Sequence, residues 1–161
     1  MPRIACLQVT PTDDVAANIA SALALAREAA DAGARFVLLP EYAFMLHASG
    51  RAMREAAVDE ASHPAVEAFA RLAVERELFV LLGTITVRTD EARIANRSLL
   101  LSTRGDVVAR YDKIHMFDAT LPSGRVIRES ATYKPGTRAV VADTPWGAVG
   151  LSICYDLRFP Q

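Results

Sequence analysis

The chain has 161 residues, 52% of them hydrophobic and 23% charged, proportions typical of a soluble globular protein rather than a disordered or fibrous one. Its 18 lysines and arginines nearly balance 19 aspartates and glutamates, so the sequence has no basic excess with which to bind nucleic acid. The apolar run at residues 4–9 is too short for a signal-peptide core or a membrane span. We therefore expect a cytoplasmic protein that folds as one domain.

The chain begins with the pattern of a strand followed by a helix. Residues 3–9 form a short apolar run, which predicts a buried strand. Apolar residues then recur at helical spacing from Val15 to Ala30, with Asp13 or Asp14 available as the N-cap. We expect this helix to end at Gly33, since glycine is the usual residue after a helix C-terminus.

A second buried strand is predicted at residues 36–39. Pro40 ends it because proline has no N–H to donate to a neighbouring strand. Glu41 is therefore predicted at the carboxyl end of a strand. A short helix is expected around residues 51–58, and a clearer one begins at Pro64 and ends near position 77.

Strands dominate the pattern of the next segment. Three are predicted, at residues 78–87, 97–102 and 106–111, and a tight turn at 103–105 joins the last two in a hairpin. Strand–helix–strand followed by hairpins indicates an α/β sandwich. Residues 112–136 show no regular period, and a loop of that length within a domain usually carries function.

The last two strands are predicted at residues 139–141 and 148–153, on either side of a turn at 144–147. Cys154 is then expected where the final strand ends. The other cysteine, Cys6, lies within the first predicted strand among apolar neighbours, and we expect it to be buried and inert. With two cysteines in a reducing cytosol, no disulfide is indicated.

Three polar residues each follow an apolar strand: Glu41, Lys113 and Cys154. Strand ends line the ligand crevice of open α/β sheets, so these side chains could meet there. Taken alone, each has an ordinary structural reading, namely a helix cap, a solvated charge and a core residue. Together they suit acyl transfer, with Glu41 as the base for a thiol nucleophile. Lys113 would stabilise the oxyanion and favour the thiolate.

The residues around these positions resemble a known family. LLPEYAF around Glu41, YDKIHMFD around Lys113 and GLSICYDLRFP around Cys154 are similar, in the same order, to the three signature blocks of the nitrilase superfamily. The resemblance implies an αββα sandwich that hydrolyses non-peptide carbon–nitrogen bonds with Glu, Lys and Cys and without a metal. It assigns those catalytic roles to Glu41, Lys113 and Cys154.

Further blocks, RESATYKPG and TPWGAVGLSICYDLRFP, are most similar to the Nit branch, whose members hydrolyse deaminated glutathione or omega-amides. By this resemblance Glu129 matches a second glutamate that positions the substrate and the lysine, although an exposed loop charge is the alternative. The backbone N–H of Tyr155 would help to hold the oxyanion. Because substrates of this branch carry a carboxylate, Arg128 and Arg158 are candidates to bind it. Arg158 could equally pair with an acid such as Asp156.

Other functions have weaker support in the sequence. His115 precedes Cys154 and could form a Cys–His dyad, but no protease-type block surrounds the cysteine. The three histidines are scattered without metal-ligand spacing, and no phosphate-binding glycine motif occurs. We therefore expect neither a metal nor a cofactor, and a small-molecule amide as the partner.

The resemblance extends over residues 1–161 as a single domain and stops at Gln161, where a family member would continue through a helix and roughly another hundred residues. The sequence therefore predicts a domain that is incomplete at its C-terminal side relative to the family. A chain that ended there would leave apolar sheet surface uncovered, so an inactive fragment or an interaction module is the alternative to an active hydrolase. The family resemblance also implies a homo-oligomer in the full-length form.

Overall fold

The computed structural model describes residues 1–89 and 92–160, which form an α/β fold. Most of the predicted elements are present, and a small hairpin is added in the long loop. The strands are β1 Ile4–Cys6, β2 Phe36–Leu38, β3 Phe79–Leu81, β4 Ile85–Arg88, β5 Ile94–Leu101, β6 Val107–Asp112, β7 Asp118–Thr120, β8 Val126–Arg128, β9 Val141–Thr144 and β10 Gly147–Gly150. The α-helices are α1 Val15–Asp31, α2 Gly50–Ala56 and α3 Pro64–Arg76, and 3-10 turns occur at Glu60–Ser62, Glu129–Ala131 and Cys154–Arg158.

Six strands form the main sheet. β1, β2 and β3 run parallel, whereas β5 is antiparallel to β3, β4 and β6. β3 and β4 pair with successive parts of β5 along the same edge, so they are two halves of the single strand predicted at 78–87. That prediction was wrong in one respect, because the strand is interrupted around Gly83. A Cβ at this glycine would lie 1.9 Å from the carbonyl oxygen of Pro40, so the chain bends where the two backbones approach.

The main helices begin and end at residues that satisfy their free backbone groups. Asp14 is the N-cap of α1 and accepts from the N–H of Ala17, while Gly33 follows the helix with a φ of +87° that favours glycine. α3 starts at Pro64 and has His63 as its cap. Both helices pack their apolar faces on one side of the sheet, where the largest core cluster lies. This cluster fixes the sheet that carries Glu41.

A second layer covers the opposite face of the sheet. The β9–β10 hairpin and the residues after it pack Ala142, Leu151 and Ile153 against Phe36 and other apolar side chains of the main sheet. The ring of Trp146, in the hairpin turn, also packs on this surface. The described residues therefore supply a helix layer and two sheet layers of the expected αββα sandwich. Both hairpin strands lie slightly displaced from the predicted 139–141 and 148–153, since packing rather than local pattern sets their ends.

The first strand differs from its prediction. β1 is an edge strand paired with β2 alone, and only three residues of the apolar run 3–9 belong to it. The side chain of Ile4 is 54% exposed, and Cys6 is exposed as well. The prediction that Cys6 is buried was therefore wrong, because an apolar sequence does not ensure a covering layer on both faces of a strand.

The segment 112–136, predicted to lack regular structure, contains the antiparallel hairpin β7–β8 and the 3-10 turn at Glu129–Ala131. Each of its strands has three residues, which is too short to give a readable alternation of polar and apolar positions. The predicted 103–105 turn is confirmed, with the N–H of Ser102 bound to the carbonyl of Asp106. In the described part of the chain, no helix combines the length and apolar composition that a membrane span requires.

Candidate active site

Glu41 lies just beyond the end of β2, as predicted. The strand is buried, and the N–H of Leu39 makes the last bond toward β3 by donating to Leu81. The next residue after the glutamate, Tyr42, has a φ of +57°, a left-handed conformation that is rare for a bulky side chain. The N–H of Tyr42 is bound to the hydroxyl of Thr84 at 2.9 Å, which holds this turn. The carboxylate of Glu41 is therefore directed by a fixed turn rather than by a mobile loop.

Lys113 follows β6 directly and is the buried cation of the site. Its side chain is 2% exposed, and its Nζ lies 3.1 Å from Oε1 of Glu41. The same Nζ lies 2.8 and 3.0 Å from the two carboxylate oxygens of Glu129. Burial by itself would lower the pKa of the ammonium, but the hydrogen bonds and charges of Glu129 and Glu41 raise the pKa above its usual value. Lys113 is therefore a permanent positive charge between two carboxylates.

Glu129 belongs to this cluster rather than to the exposed surface. It opens the 3-10 turn after β8, and its side chain is mostly buried. Besides contacting Lys113, its Oε2 accepts from the backbone N–H of Phe117 at 2.6 Å. The expectation of an important second glutamate therefore fits this geometry, and the alternative of a free loop charge does not.

Cys154 is the third member of the cluster. It begins the 3-10 turn Cys154–Arg158 with a φ of +49°, so its side chain leaves the backbone at a strained, exposed point. The charges of Glu41, Lys113 and Glu129 all act on its thiol, and Glu41 is near enough to raise the pKa of the thiol through hydrogen bonding as well. Partial burial and the negative charge of Glu41 raise the pKa of the thiol, and the opposing charge of Lys113 does not reverse this. Lys113 does favour the thiolate, as expected, but its effect on the pKa is outweighed, and the resting cysteine is a thiol beside Glu41.

Asp156, considered from the sequence only as a partner for Arg158, is a buried carboxylate that holds the cysteine turn. Asp156 accepts from the hydroxyl of Tyr111 at 2.6 Å, from the N–H of Ile153 at 2.9 Å and from the N–H of His115 at 2.9 Å. The Nδ1 of His115 lies 2.8 Å from the same carboxylate. Asp156 thereby joins the loop after β6 to the residues on either side of Cys154.

His115 has a structural environment in this arrangement. Its ring is stacked on Phe159 with centroids 3.8 Å apart, and its Nδ1 is engaged by Asp156. The charges that act on the Cys154 thiol come from Glu41, Lys113 and Glu129. The geometry favours a role for His115 in orienting the loop over a Cys–His dyad.

Asn96 was also missed from the sequence. It lies in β5, is buried, and its Nδ2 donates to Oε1 of Glu41 at 2.7 Å. The same nitrogen lies 3.4 Å from the hydroxyl of Tyr42. No local signal singled it out, because Asn96 is followed by the polar residues Arg97 and Ser98 and lies just before the strand predicted at 97–102.

For the other residues predicted to bind substrate, no contact with Glu41 or Lys113 is observed in the described part of the chain. The ring of Tyr155 packs edge-on against Phe117 and Phe159, with centroids 5.1 and 5.3 Å away. Arg128 is exposed at the end of β8, where its charge acts on Asp118. Arg158 is exposed too, and within residues 1–89 and 92–160 it forms no salt bridge with Asp156. The carboxylate-binding roles of the two arginines stay predictions.

A separate cleft of about 540 Å³ lies away from this cluster and is lined by Arg97, Arg110 and Asp112, among others. Two of its arginines are paired with acids, since Arg97 bridges Asp112 and Glu60, and Arg110 also binds Glu60. None of Glu41, Lys113 and Cys154 lines it. Among the residues that the structure describes, no group of three His, Cys, Asp or Glu side chains is arranged to hold a metal ion.

Comparison with known proteins gives a consistent result. The family profile described as carbon-nitrogen hydrolase matches residues 3–161. A deaminated glutathione amidase from Yersinia enterocolitica is 35% identical over 162 residues, which cover 98% of this chain and 56% of that protein. An omega-amidase from Homo sapiens is 31% identical over 159 residues, covering 99% of this chain and 56% of that protein.

The crystal structure of the C. elegans NitFhit protein superposes with a TM-score of 0.87 at 30% identity, covering 99% of this chain and 40% of that one. The α/β sandwich expected from the sequence is confirmed by this similarity. The chain spans about half the length of the curated relatives it matches.

Proposed function

Because this chain belongs to the carbon-nitrogen hydrolase family, we propose that it hydrolyses the amide bond of a small carboxylate-bearing molecule through a thioester on Cys154. One observation carries the proposal. A carboxylate, an ammonium and a thiol that are far apart in the sequence lie together, with Glu41 3.1 Å from Lys113 and the charges of both acting on the Cys154 thiol. This is the set of groups that thiol-dependent acyl transfer requires.

In the first half-reaction, Sγ of Cys154 attacks the amide carbonyl carbon while Glu41 takes the thiol proton. A raised thiol pKa makes this base necessary, because little thiolate exists at neutral pH. The tetrahedral intermediate then collapses as its carbon–nitrogen bond breaks, and Glu41 returns the proton to the departing ammonia or amine. A thioester on Cys154 is left.

The oxyanion of the tetrahedral intermediate is held by Lys113 and by the backbone N–H of Tyr155. Lys113 brings a fixed positive charge that Glu129 and Glu41 keep in place. Tyr155 lies in the first turn of the 3-10 segment that begins at the nucleophile, where N–H groups commonly face outward. Donors fixed in advance in this way are often worth several kcal/mol in the transition state.

In the second half-reaction, Glu41 removes a proton from water, the hydroxide attacks the thioester carbonyl, and the carbon–sulfur bond breaks. The thiol of Cys154 regains a proton and the carboxylic acid product leaves. Since ammonia departs before water reacts, ping-pong kinetics are expected. Cofactors and metals take no part in this sequence of steps.

The names of the relatives support a substrate that carries a carboxylate, with deaminated glutathione first and omega-amides second. Arg128 and Arg158 are the proposed carboxylate ligands, because a guanidinium fork matches a carboxylate with two parallel hydrogen bonds. Both are exposed and therefore accessible to a ligand. We further propose a cytoplasmic location and, for the full-length form, assembly as a homo-oligomer.

The direct test is ammonia release from a panel of deaminated glutathione, omega-amides and N-carbamoyl acids by the purified chain. Activity should be lost in Cys154→Ala and Glu41→Gln, and retained in Cys6→Ser, which removes the other thiol. His115→Asn should keep most of the activity if Glu41 is the base, and abolish it in a Cys–His dyad. A chain that binds none of these amides and releases no ammonia would instead be an inactive fragment or an interaction module.

A further inference from the structure

We propose that Asn96 is a positioning residue for the catalytic base: its side-chain amide holds Oε1 of Glu41 so that Oε2 faces the Cys154 thiol and later the water. This inference rests on the proposed role of Glu41. In this arrangement Oε1 of Glu41 is the anchored oxygen, Oε2 is the oxygen that accepts protons, and Asn96 keeps the two in these roles. Asn96 itself does not touch the reacting atoms.

Both measured donors converge on the same oxygen of the carboxylate. Nδ2 of Asn96 lies 2.7 Å from Oε1 of Glu41, and Nζ of Lys113 lies 3.1 Å from it. An oxygen that already accepts two hydrogen bonds from an amide and an ammonium is a poor proton acceptor. Oε2 is therefore the oxygen available to the thiol.

The orientation of the Asn96 amide is fixed by chemistry. An ionised carboxylate only accepts hydrogen bonds, so the NH₂ group rather than the carbonyl oxygen must face Glu41. The Oδ1 atom is buried and has no hydrogen-bond partner among the described residues. Such an unpaired acceptor costs stability, so an apolar residue would serve packing better at this place, where the side chain is 1% exposed. The contact with Glu41 accounts for the presence of an amide.

The position of Asn96 in the sheet explains its reach. In β5, Ala95 and Leu99 point into the core cluster shared with the helices, so Asn96 and Ser98 point to the opposite face. A strand in the middle of a sheet is a rigid support, more precise than the loop that carries Lys113. Without Asn96, Oε1 of Glu41 would be held by Lys113 alone, and the carboxylate could rotate about its last bond.

The first test uses Asn96→Asp, which keeps the shape of the side chain but replaces the donor by an acceptor. Loss of one hydrogen bond to a charged group predicts a fall in kcat of roughly 10- to 100-fold. KM should stay within about threefold of its original value, because Asn96 does not contact the substrate. Ser98→Ala, two residues away on the same face of the strand, is the matched control and should leave kcat unchanged. An equal loss in both variants would overturn the proposal.

The second test does not depend on catalytic turnover. It measures the rate at which iodoacetamide alkylates the Cys154 thiol, with iodide as the leaving group. The Cys6→Ser substitution is present in every protein tested, so that only Cys154 can react. In Asn96→Asp, two adjacent carboxylates either share a proton, which occupies the base, or add negative charge beside the thiol. Both effects slow alkylation at neutral pH, by about tenfold for each unit by which the pKa of the thiol rises. Asn96→Ser, which cannot reach Glu41, should also react slowly and replaces the aspartate variant if that does not fold.

The amidase assay and the alkylation assay together distinguish the positioning role of Asn96 from the proposed amidase function. Alkylation at the original rate in both Asn96 variants refutes the positioning role, whatever the amidase assay gives. Slow alkylation of the variants, together with no ammonia from the unmodified chain, supports the positioning role and refutes the proposed function.

Discussion

Replacing Asp156 with asparagine is expected to loosen the turn that carries Cys154. The carboxylate is 8% exposed and receives donors on both oxygens: Tyr111 and Ile153 on Oδ2, and the backbone and ring nitrogens of His115 on Oδ1. An asparagine has the same shape but only one acceptor oxygen. Whichever way its amide is turned, one backbone N–H, of Ile153 or of His115, faces an NH₂ group.

The magnitude follows from these contacts. A buried N–H without an acceptor costs about 1–3 kcal/mol, and the remaining bonds lose the strength that the negative charge gave them. We expect the free energy of unfolding of Asp156→Asn to fall by about 2–4 kcal/mol. The variant would lose either the bond to Ile153, next to the left-handed Cys154, or the bond to His115 that ties the turn to the loop after β6, so kcat should fall together with stability.

Urea denaturation at pH 7 measures the change, and Asp143→Asn on the exposed face of β9 is the control, expected to stay within about 0.5 kcal/mol of the original. Burial by itself would raise the pKa of Asp156, but its hydrogen bonds lower it. The ionised Asp156 therefore contributes its whole stabilisation above the usual aspartate pKa, and this is lost as the pH falls through the lowered pKa of the folded state. The difference in free energy of unfolding between the original protein and the variant should narrow below about pH 4. An Asp156 variant as stable as the control at pH 7 would show that this reasoning is wrong.

Three other predictions concern the surroundings of the site. Glu129→Gln removes a charge beside the buried ammonium, and urea denaturation should show a loss of about 1–3 kcal/mol along with a lower kcat. Burial lowers the pKa of His63 to about 4, so the unfolded state binds the proton first, and acidification from about pH 6.5 to 4 should cost up to about 3 kcal/mol of stability. In His63→Asn, which can still cap α3, that slope should vanish; an unchanged slope would assign it to other groups. Gly83→Ala pushes a methyl group against the carbonyl of Pro40, directly before Glu41, the proposed base, and should lower both Tm and kcat, whereas Gly150→Ala meets open space and should change neither.

The sequence predicted the local elements well where the hydrophobic pattern agrees with capping and strand-terminating residues. Asp14 and Gly33 bound the first helix because capping is a short-range interaction between neighbours in the chain. Pro40 placed Glu41 beyond the end of a strand for an equally local reason, the missing N–H. The sites of Lys113 and Cys154 followed from the same kind of argument and from the family resemblance, which the family match confirms.

What the sequence misjudged depended on partners far along the chain. Cys6 was expected to be buried because its neighbours are apolar, but exposure is decided by whether another layer covers the strand. The break at Gly83 arises from the backbone of Pro40, and no periodicity in the strand itself could reveal that approach. The net rise in the pKa of Cys154 likewise required the distances to Glu41 and Lys113, since their charges act in opposite directions.

By itself the sequence determined the candidate residues for the chemistry, because a carboxylate, an ammonium and a thiol at strand ends are readable from residue type and local pattern. Only the tertiary structure decided how these groups are held, through Asn96 on one oxygen of Glu41 and Asp156 beneath the cysteine turn. The physical reason is that hydrogen bonds and charges act over a few ångströms in space. Residues 55 positions apart in the chain, such as Glu41 and Asn96, become neighbours only when the sheet forms.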